Sequence, residues 1–192
     1  MEINYLPYIV TFVFLFLAVF VYNGYKYQRK TKYKLNSSAL LSIIIAAKNE
    51  EKNINFLIDS LEQLNYPNEN FEVIIVDDNS DDKTAELIQS GISGKNNYKL
   101  IRAVNKEIEG KKGALSIGIK NAIHNFIIIT DSDCKPETNW LKAMAGGLEY
   151  GYDFVFGVSP IESGAIVIEK ISAFENLRNT YLSIAAVGLN IP

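Results

Sequence analysis

The chain has 192 residues, 48% of them hydrophobic, which is enough for one domain with a real core plus something extra. Its formal net charge is −3, but residues 35–192 hold 14 basic against 21 acidic groups, a formal −7, and such an acidic body argues against a nucleic-acid surface. One cysteine, Cys134, and one histidine, His124, leave no intrachain disulfide, no Cys/His metal cluster and no relay of several histidines.

The extra material is at the front. No charged residue occurs from Ile3 to Tyr25, and Tyr8 to Tyr22 is almost wholly apolar, close to the roughly 20 residues that cross a bilayer. Tyr5 and Tyr8 at one end and Tyr22, Tyr25 and Tyr27 at the other suit an interfacial aromatic belt. A cleaved signal peptide is the alternative, but a basic n-region and a small-x-small cleavage site are both missing. Residues 1–25 are therefore predicted as one transmembrane anchor. Lys26, Arg29, Lys30, Lys32 and Lys34 follow in a basic juxtamembrane linker, residues 26–39, suited to anionic lipid. Such flanks stay cytoplasmic, so the amino terminus is expected outside, in a single-pass cell (inner) membrane protein with its body in the cytosol.

Leu40 to Ala46 is predicted as a first buried strand. Asn49 is expected to cap the next helix, with Glu50 and Glu51 in its first turn. Ile54, Leu57, Ile58, Leu61 and Leu64 fall at spacings of three and four, an amphipathic pattern that stops at Asn65-Tyr66-Pro67. The second strand, Phe71 to Val76, runs into Asp77-Asp78-Asn79-Ser80-Asp81-Asp82. Ser80 or Asp81 can cap the helix starting near Lys83, yet four acids in six residues exceed what a cap needs, and their repulsion calls for a cation or a hydrogen-bonding ligand.

A third strand, Tyr98 to Val104, leads through a charged loop to Gly110-Lys111-Lys112-Gly113-Ala114 and a helix over Ala114 to Ala122. The amino end of that helix suits a phosphate, and a solvated loop is the equal alternative. Neither the Walker spacing nor a Gly-x-Gly-x-x-Gly is present. Phe126 to Ile129 is predicted as a strand buried on both faces, ending in Asp131-Ser132-Asp133-Cys134. Taken alone, this Asp-x-Asp is either a solvated turn or a site for a hard divalent cation. His124 suits a helix end or the surface, and Cys134 a small filler. A helix over Thr138 to Leu148, a fifth strand over Asp153 to Val158 and an amphipathic helix over Ile166 to Ala186 complete the pattern. Alternating strands and helices imply an α/β fold, a mostly parallel sheet with helices on both faces.

Ser42 to Glu50 (SIIIAAKNE), Val76 to Thr84 (VDDNSDDKT), Lys111 to Gly118 (KKGALSIG) and Ile129 to Leu141 (ITDSDCKPETNWL) together, in this order, resemble the donor-binding half of family 2 glycosyltransferases, enzymes of the Rossmann-like GT-A fold. The resemblance covers about residues 40–160. Ala46 stands where a proline is frequent, and Asn79 replaces the usual glycine, which matters little because Asn tolerates the left-handed conformation.

The resemblance implies a nucleotide-sugar-binding domain over 40–160, with 161–192 the start of an acceptor half. It implies that Ala46, Ala47 and Glu50 line the nucleoside pocket, that Asp78 meets the base or ribose, and that Lys111 and Asp131 lie on the nucleotide. Asp133 would ligate Mg2+ or Mn2+ on the diphosphate. The expected activity is inverting transfer from a nucleoside-diphosphate sugar, a UDP-sugar favoured, to a glycan or lipid acceptor at the membrane, as in polysaccharide biosynthesis. The general base is expected past Pro192, in a chain read as truncated. The alternatives are a non-catalytic nucleotide-sugar-binding module and a sugar-phosphate nucleotidyltransferase; the latter would want a glycine-rich, arginine-containing signature that Ala46 to Glu50 lacks.

Overall fold

The computed structural model describes residues 5–28, 38–104, 106–157, 159 and 166–188. The chain divides into two compact units, one of Met1–Lys32 with Gly157–Pro192 and one of Tyr33–Phe156.

The second unit is an α/β domain. Four strands, β1 (Leu41–Ala47), β2 (Phe71–Asp77), β3 (Tyr98–Arg102) and β4 (Phe126–Asp131), form a wholly parallel sheet in the order β3-β2-β1-β4. The helices α2 (Ile54–Glu62), α3 (Thr84–Gly91), α4 (Gly110–Lys120) and α5 (Trp140–Tyr150) belong to the sheet domain, and α6 (Val167–Gly188) belongs to the first unit, where it joins α1 (Leu6–Gln28).

Strand alternation divides the β1 and β2 side chains between two cores. Leu41, Ile43, Ile45, Val73 and Ile75 pack with Ile54, Leu57 and Leu61 of α2, Ile88 of α3 and Leu141 and Ala145 of α5. Ile44, Ala46, Ile74 and Val76 meet Ala114 and Leu115 of α4 on the opposite face. Helices cover both faces because β1 is apolar at nearly every position, and all seven of its residues are buried. α4 lies close because Gly118 has no side chain: a Cβ there would collide with Ile44 Cγ2.

Several predicted boundaries move. β4 is an edge strand, with Ile128 its single buried residue and Ile129 half exposed, so it is not buried on both faces as its apolar run suggested. The physical reason is topological: among the described residues nothing pairs with its outer side. The expected fifth strand is not formed over 153–157, and Val158 lies outside the described residues. Val155 packs instead on Gly147 of α5, where a Cβ would sit 2.8 Å from its Cγ2.

In the first unit, α1 carries a continuous apolar span, Leu6–Gly24, with mean hydropathy 2.1. Its 19 residues extend about 28 Å, near the ~30 Å of a bilayer's hydrocarbon core. Most of the predicted basic linker lies outside the described residues. α6 forms over nearly the predicted range, with Glu169 Oε2 accepting the Ile166 amide at its start (3.1 Å). The face that its spacing marked for burial is exposed at Val167, Ile171, Phe174 and Tyr181. The close approach of α6 is instead to α1, where Ala185 occupies the space that a Cβ on Gly24 would need.

Candidate functional site

The sheet order carries a switch point. β1 connects to β2 on one side, whereas the chain returns from β3 to place β4 on the other, so the loops leaving β1 and β4 diverge at their carboxyl ends. Open α/β sheets bind ligands in that crevice. The strand register brings the expected residues to it: Ala46 lies beside Val76 and Asp131, and Ala47 beside Asp77.

The loops after β1 and β2 interlock. Asn49 has φ 57 and Asn79 has φ 53, both left-handed, and Asn79 thus does what glycine does in the resembling family. The Asn49 amide donates to Ser80 Oγ (3.0 Å), and Asn49 Oδ1 accepts the Asp81 amide (2.9 Å). Asn49 is therefore not the cap of α2, which starts later, at Ile54; its side chain is committed to the neighbouring loop. Glu50 donates its amide to Thr84 Oγ1 (2.7 Å) and accepts Asn53 Nδ2 on Oε2 (2.8 Å).

Two of the four acids after β2, Asp78 and Asp82, have side-chain partners. Asp82, rather than Ser80 or Asp81, serves the start of α3, accepting the Thr84 amide (2.9 Å) and the Thr84 hydroxyl on Oδ1 and the Glu51 amide (3.2 Å) on Oδ2. The Thr84 hydroxyl, followed by these amides, holds the Asp82 carboxyl below the usual carboxylate range. Asp78 is 4% exposed and pairs with Lys106, 6% exposed. For Asp78 a lysine, and for Asp82 the Thr84 hydroxyl and two backbone amides, relieve the expected repulsion. Asp77, also buried, keeps Oδ1 without a partner.

A second lysine reaches the same edge from the same segment. Lys111 Nζ lies 2.6 Å from Asp131 Oδ1, both side chains 54% exposed. Ser132 is buried, and the Cys134 amide donates to the Asp131 carbonyl (3.3 Å), so Asp131 to Cys134 form a turn that leaves Asp133 exposed. Among the described residues no group of three or more His, Cys, Asp and Glu side chains is placed to hold a metal ion. Asp131 Oδ1 is taken by Lys111, whereas the exposed Asp133 carboxylate is a hard oxygen donor of the kind that suits a divalent cation completing its shell with diphosphate and water.

Of the other sequence-predicted residues, Ala46 is 8% exposed at the edge, whereas Ala47 is wholly buried in the core and offers its carbonyl, which accepts the Asp78 amide at 2.8 Å. Lys106 was missed. Its contact spans 28 residues of chain, and a lysine in a charged loop carries no local signal. His124 lies at the opposite edge, where its amide donates to Ser42 Oγ (3.2 Å) beside Glu72. The open groove there, which Tyr98 and Lys99 also line, includes none of the aspartates that follow β2 and β4.

The chain matches known proteins. It is 37% identical over 102 residues to the dolichyl N-acetyl-alpha-D-glucosaminyl phosphate 3-beta-D-2,3-diacetamido-2,3-dideoxy-beta-D-glucuronosyltransferase of Methanococcus voltae, covering 53% of this chain and 32% of that protein. Among solved structures, S. aureus TarS 1-349 superposes with a TM-score of 0.53 at 25% identity, over 64% of this chain and 40% of that one. A mannosyltransferase from Pyrobaculum calidifontis, in complex with GDP-Man and Mn2+, shares the fold with a TM-score of 0.57 at 20% identity, over 68% of this chain and 39% of that one. The chain thus spans about a third of the length of that curated relative. The sequence model of glycosyl transferase family 2 matches residues 42–185, three quarters of the chain, and the protein belongs to that family.

Proposed function

We propose that these residues are the donor-binding part of a membrane-anchored inverting glycosyltransferase that moves a sugar from a nucleoside-diphosphate sugar to a glycan or lipid acceptor at the cytosolic face. The observation that carries this reading is the meeting of Asp78 and Asp131, from β2 and β4 on either side of β1, with Lys106 and Lys111. Carboxylates and cations at one sheet edge suit a ligand that presents a base at one end and a diphosphate at the other. Asp78, Ala46 and Glu50 would hold the nucleoside, and Lys111 and Asp131 the diphosphate side.

Asp133 would take Mg2+ or Mn2+ together with diphosphate oxygens. When bound, the cation stabilises the charge that develops on the departing diphosphate. Deprotonation of the acceptor hydroxyl is assigned to none of these residues. The P. calidifontis enzyme of the same fold was solved with GDP-Man and Mn2+, a ligand and a metal of the classes proposed for this chain.

The apolar span of α1, followed by Lys26, supports anchoring with the sheet domain on the basic, cytosolic side. We assign residues 1–25 to the anchor, 26–39 to the linker, 40–160 to the donor domain and 161–192 to the start of the acceptor half.

The test is a radiolabelled-donor assay on the full chain in nanodiscs with Mn2+. Saturable, metal-dependent binding of UDP- or GDP-sugars that Asp133→Ala abolishes supports the donor site. Sugar transfer or donor hydrolysis adds the activity. Pyrophosphate-dependent exchange would point to a nucleotidyltransferase, and binding without turnover to a binding module. Donor binding left intact in Asp133→Ala would overturn the metal assignment.

A further inference from the structure

Val167, Ile171, Phe174, Leu177 and Tyr181 of α6 are all exposed, Phe174 to 64%. On a regular helix these five fall within an arc of roughly 120°. Glu169, Ser172, Asn176, Asn179 and Ser183 occupy the opposite arc. Ala185 belongs to the apolar arc, in line with Val167, but it is wholly buried, and it is the residue that meets Gly24 of α1. The same arc therefore docks on the apolar span at one end of α6 and stands open along the rest.

The neighbourhood of the arc specifies its occupant. Gly24 is the last residue of the Leu6–Gly24 span, two residues before Lys26, so Ala185 sits where apolar span gives way to basic flank. Lys170 and Arg178 fall within the apolar arc, and Arg178 pairs with Glu175 one turn back. Long basic side chains set among apolar ones suit the headgroup level of a bilayer, where the stem lies in acyl chains and the charge reaches phosphate or water. Glu169, Lys170, Glu175 and Arg178 make α6 too polar to cross the hydrocarbon, and among the described helices α1 alone is long and apolar enough to do so. Two copies facing each other through this arc would bring Lys170 and Arg178 against Lys170 and Arg178, whether parallel or antiparallel, which disfavours a second copy as the occupant.

We propose that α6 lies along the membrane surface as a second membrane contact beside α1, with its Val167 to Tyr181 arc sunk into the boundary between headgroups and acyl chains. The proposal rests on the anchor reading above. It sets residues 161–192, assigned to the start of the acceptor half, at the level where a lipid acceptor presents its polar end.

The experiment places the full chain in nanodiscs that carry nitroxide-labelled lipids. Cys134→Ser removes the natural thiol, and an environment-sensitive fluorophore is attached to one introduced cysteine at a time. Phe14→Cys reports the middle of the span, Phe174→Cys the open arc and Ser172→Cys the opposite face. The Phe174→Cys label is expected to shift to the blue and to lose most of its emission to nitroxides at the headgroup and the top of the acyl chain. The Phe14→Cys label should lose most of its emission to nitroxides deep in the chains, and the Ser172→Cys label should keep its own. Should Phe174→Cys fail to fold, Ile171→Cys samples the same arc.

Quenching of Phe14→Cys without quenching of Phe174→Cys overturns the placement of α6 and leaves the anchor standing. A Phe174→Cys label that is blue-shifted yet unquenched means that protein covers the arc, and a disulfide between two Phe174→Cys chains would identify a second copy; either overturns the proposal. Quenching of Phe174→Cys by deep nitroxides alone overturns the surface position. Quenching of neither Phe14→Cys nor Phe174→Cys removes the anchor as well.

Discussion

Asn49 and Ser80, 31 residues apart, hold the loops after β1 and β2 together: the Asn49 amide donates to Ser80 Oγ, and Asn49 Oδ1 accepts the amide of Asp81. One left-handed residue thus satisfies two groups of a neighbouring loop, and the acids beyond β2 are displayed from a rigid frame. Asn49→Ala removes the side-chain acceptor and places a less tolerant residue at φ 57. The expected loss is about 1–2 kcal/mol, a drop of several degrees in thermal midpoint, with Asn49→Gly recovering the backbone part. Equal midpoints for Asn49→Ala and wild type would show that the clasp is idle.

The start of α3 responds to acid through Asp82. Its carboxyl is held below the usual 3.8, first by the Thr84 hydroxyl. A group with a lowered folded-state pKa stabilises the protein above its unfolded value and loses that contribution as pH falls through the folded value. Thr84→Val should therefore lower the midpoint at pH 7, and the gap from wild type should narrow below about pH 4. Melting curves at pH 7 and pH 3 decide the matter, and a gap that widens in acid would contradict it.

Gly118 lets α4 sit on β1 and β2. Gly118→Val drives a side chain into the space of Ile44 Cγ2 and Val76 Cγ2, and overpacking of this kind costs about 1–3 kcal/mol. Adding Ile44→Ala to that variant should return part of the loss, because it removes the atom struck first. A double-mutant cycle by denaturant unfolding measures this coupling. Strictly additive losses would place α4 elsewhere.

Asp131 should matter to ligand more than to fold. Its pair with Lys111 is half exposed, and such pairs contribute at most about 1 kcal/mol. Asp131→Asn is expected to leave the midpoint within a few degrees while weakening Mn2+-dependent UDP or GDP binding by about tenfold or more. A variant that binds as wild type does would remove Asp131 from the donor site.

Much of this site is legible in the chain itself. The acids that end β2 and β4, the apolar strands that precede them and the family resemblance require no tertiary information, because each is a run of neighbours in the chain. Asn79 can be assigned its left-handed role because it stands where the resembling family usually has glycine. By contrast, Asn49 does not cap α2 and the expected fifth strand is not formed over 153–157, since a side chain's partner and a strand's neighbour are chosen across the chain. Asp82 makes the same point: three residues near α3, Ser80, Asp81 and Asp82, are chemically able to cap it, and the one in reach of the Thr84 amide and the Glu51 amide takes the role.

What the sequence determined by itself was the alternation of apolar runs and polar breaks, and with it the α/β class, the apolar front segment and the family. Periodicity and composition are local properties and need no partner to be read. The tertiary structure alone decided that β4 crosses to the far side of β1, which opens the switch point, and that Lys106 and Lys111 each close on an acid at that edge. Those outcomes depend on which distant groups the fold brings within reach of one another, and for Lys106 and Asp78 the shared space is buried, where an unmatched charge is too costly to leave alone.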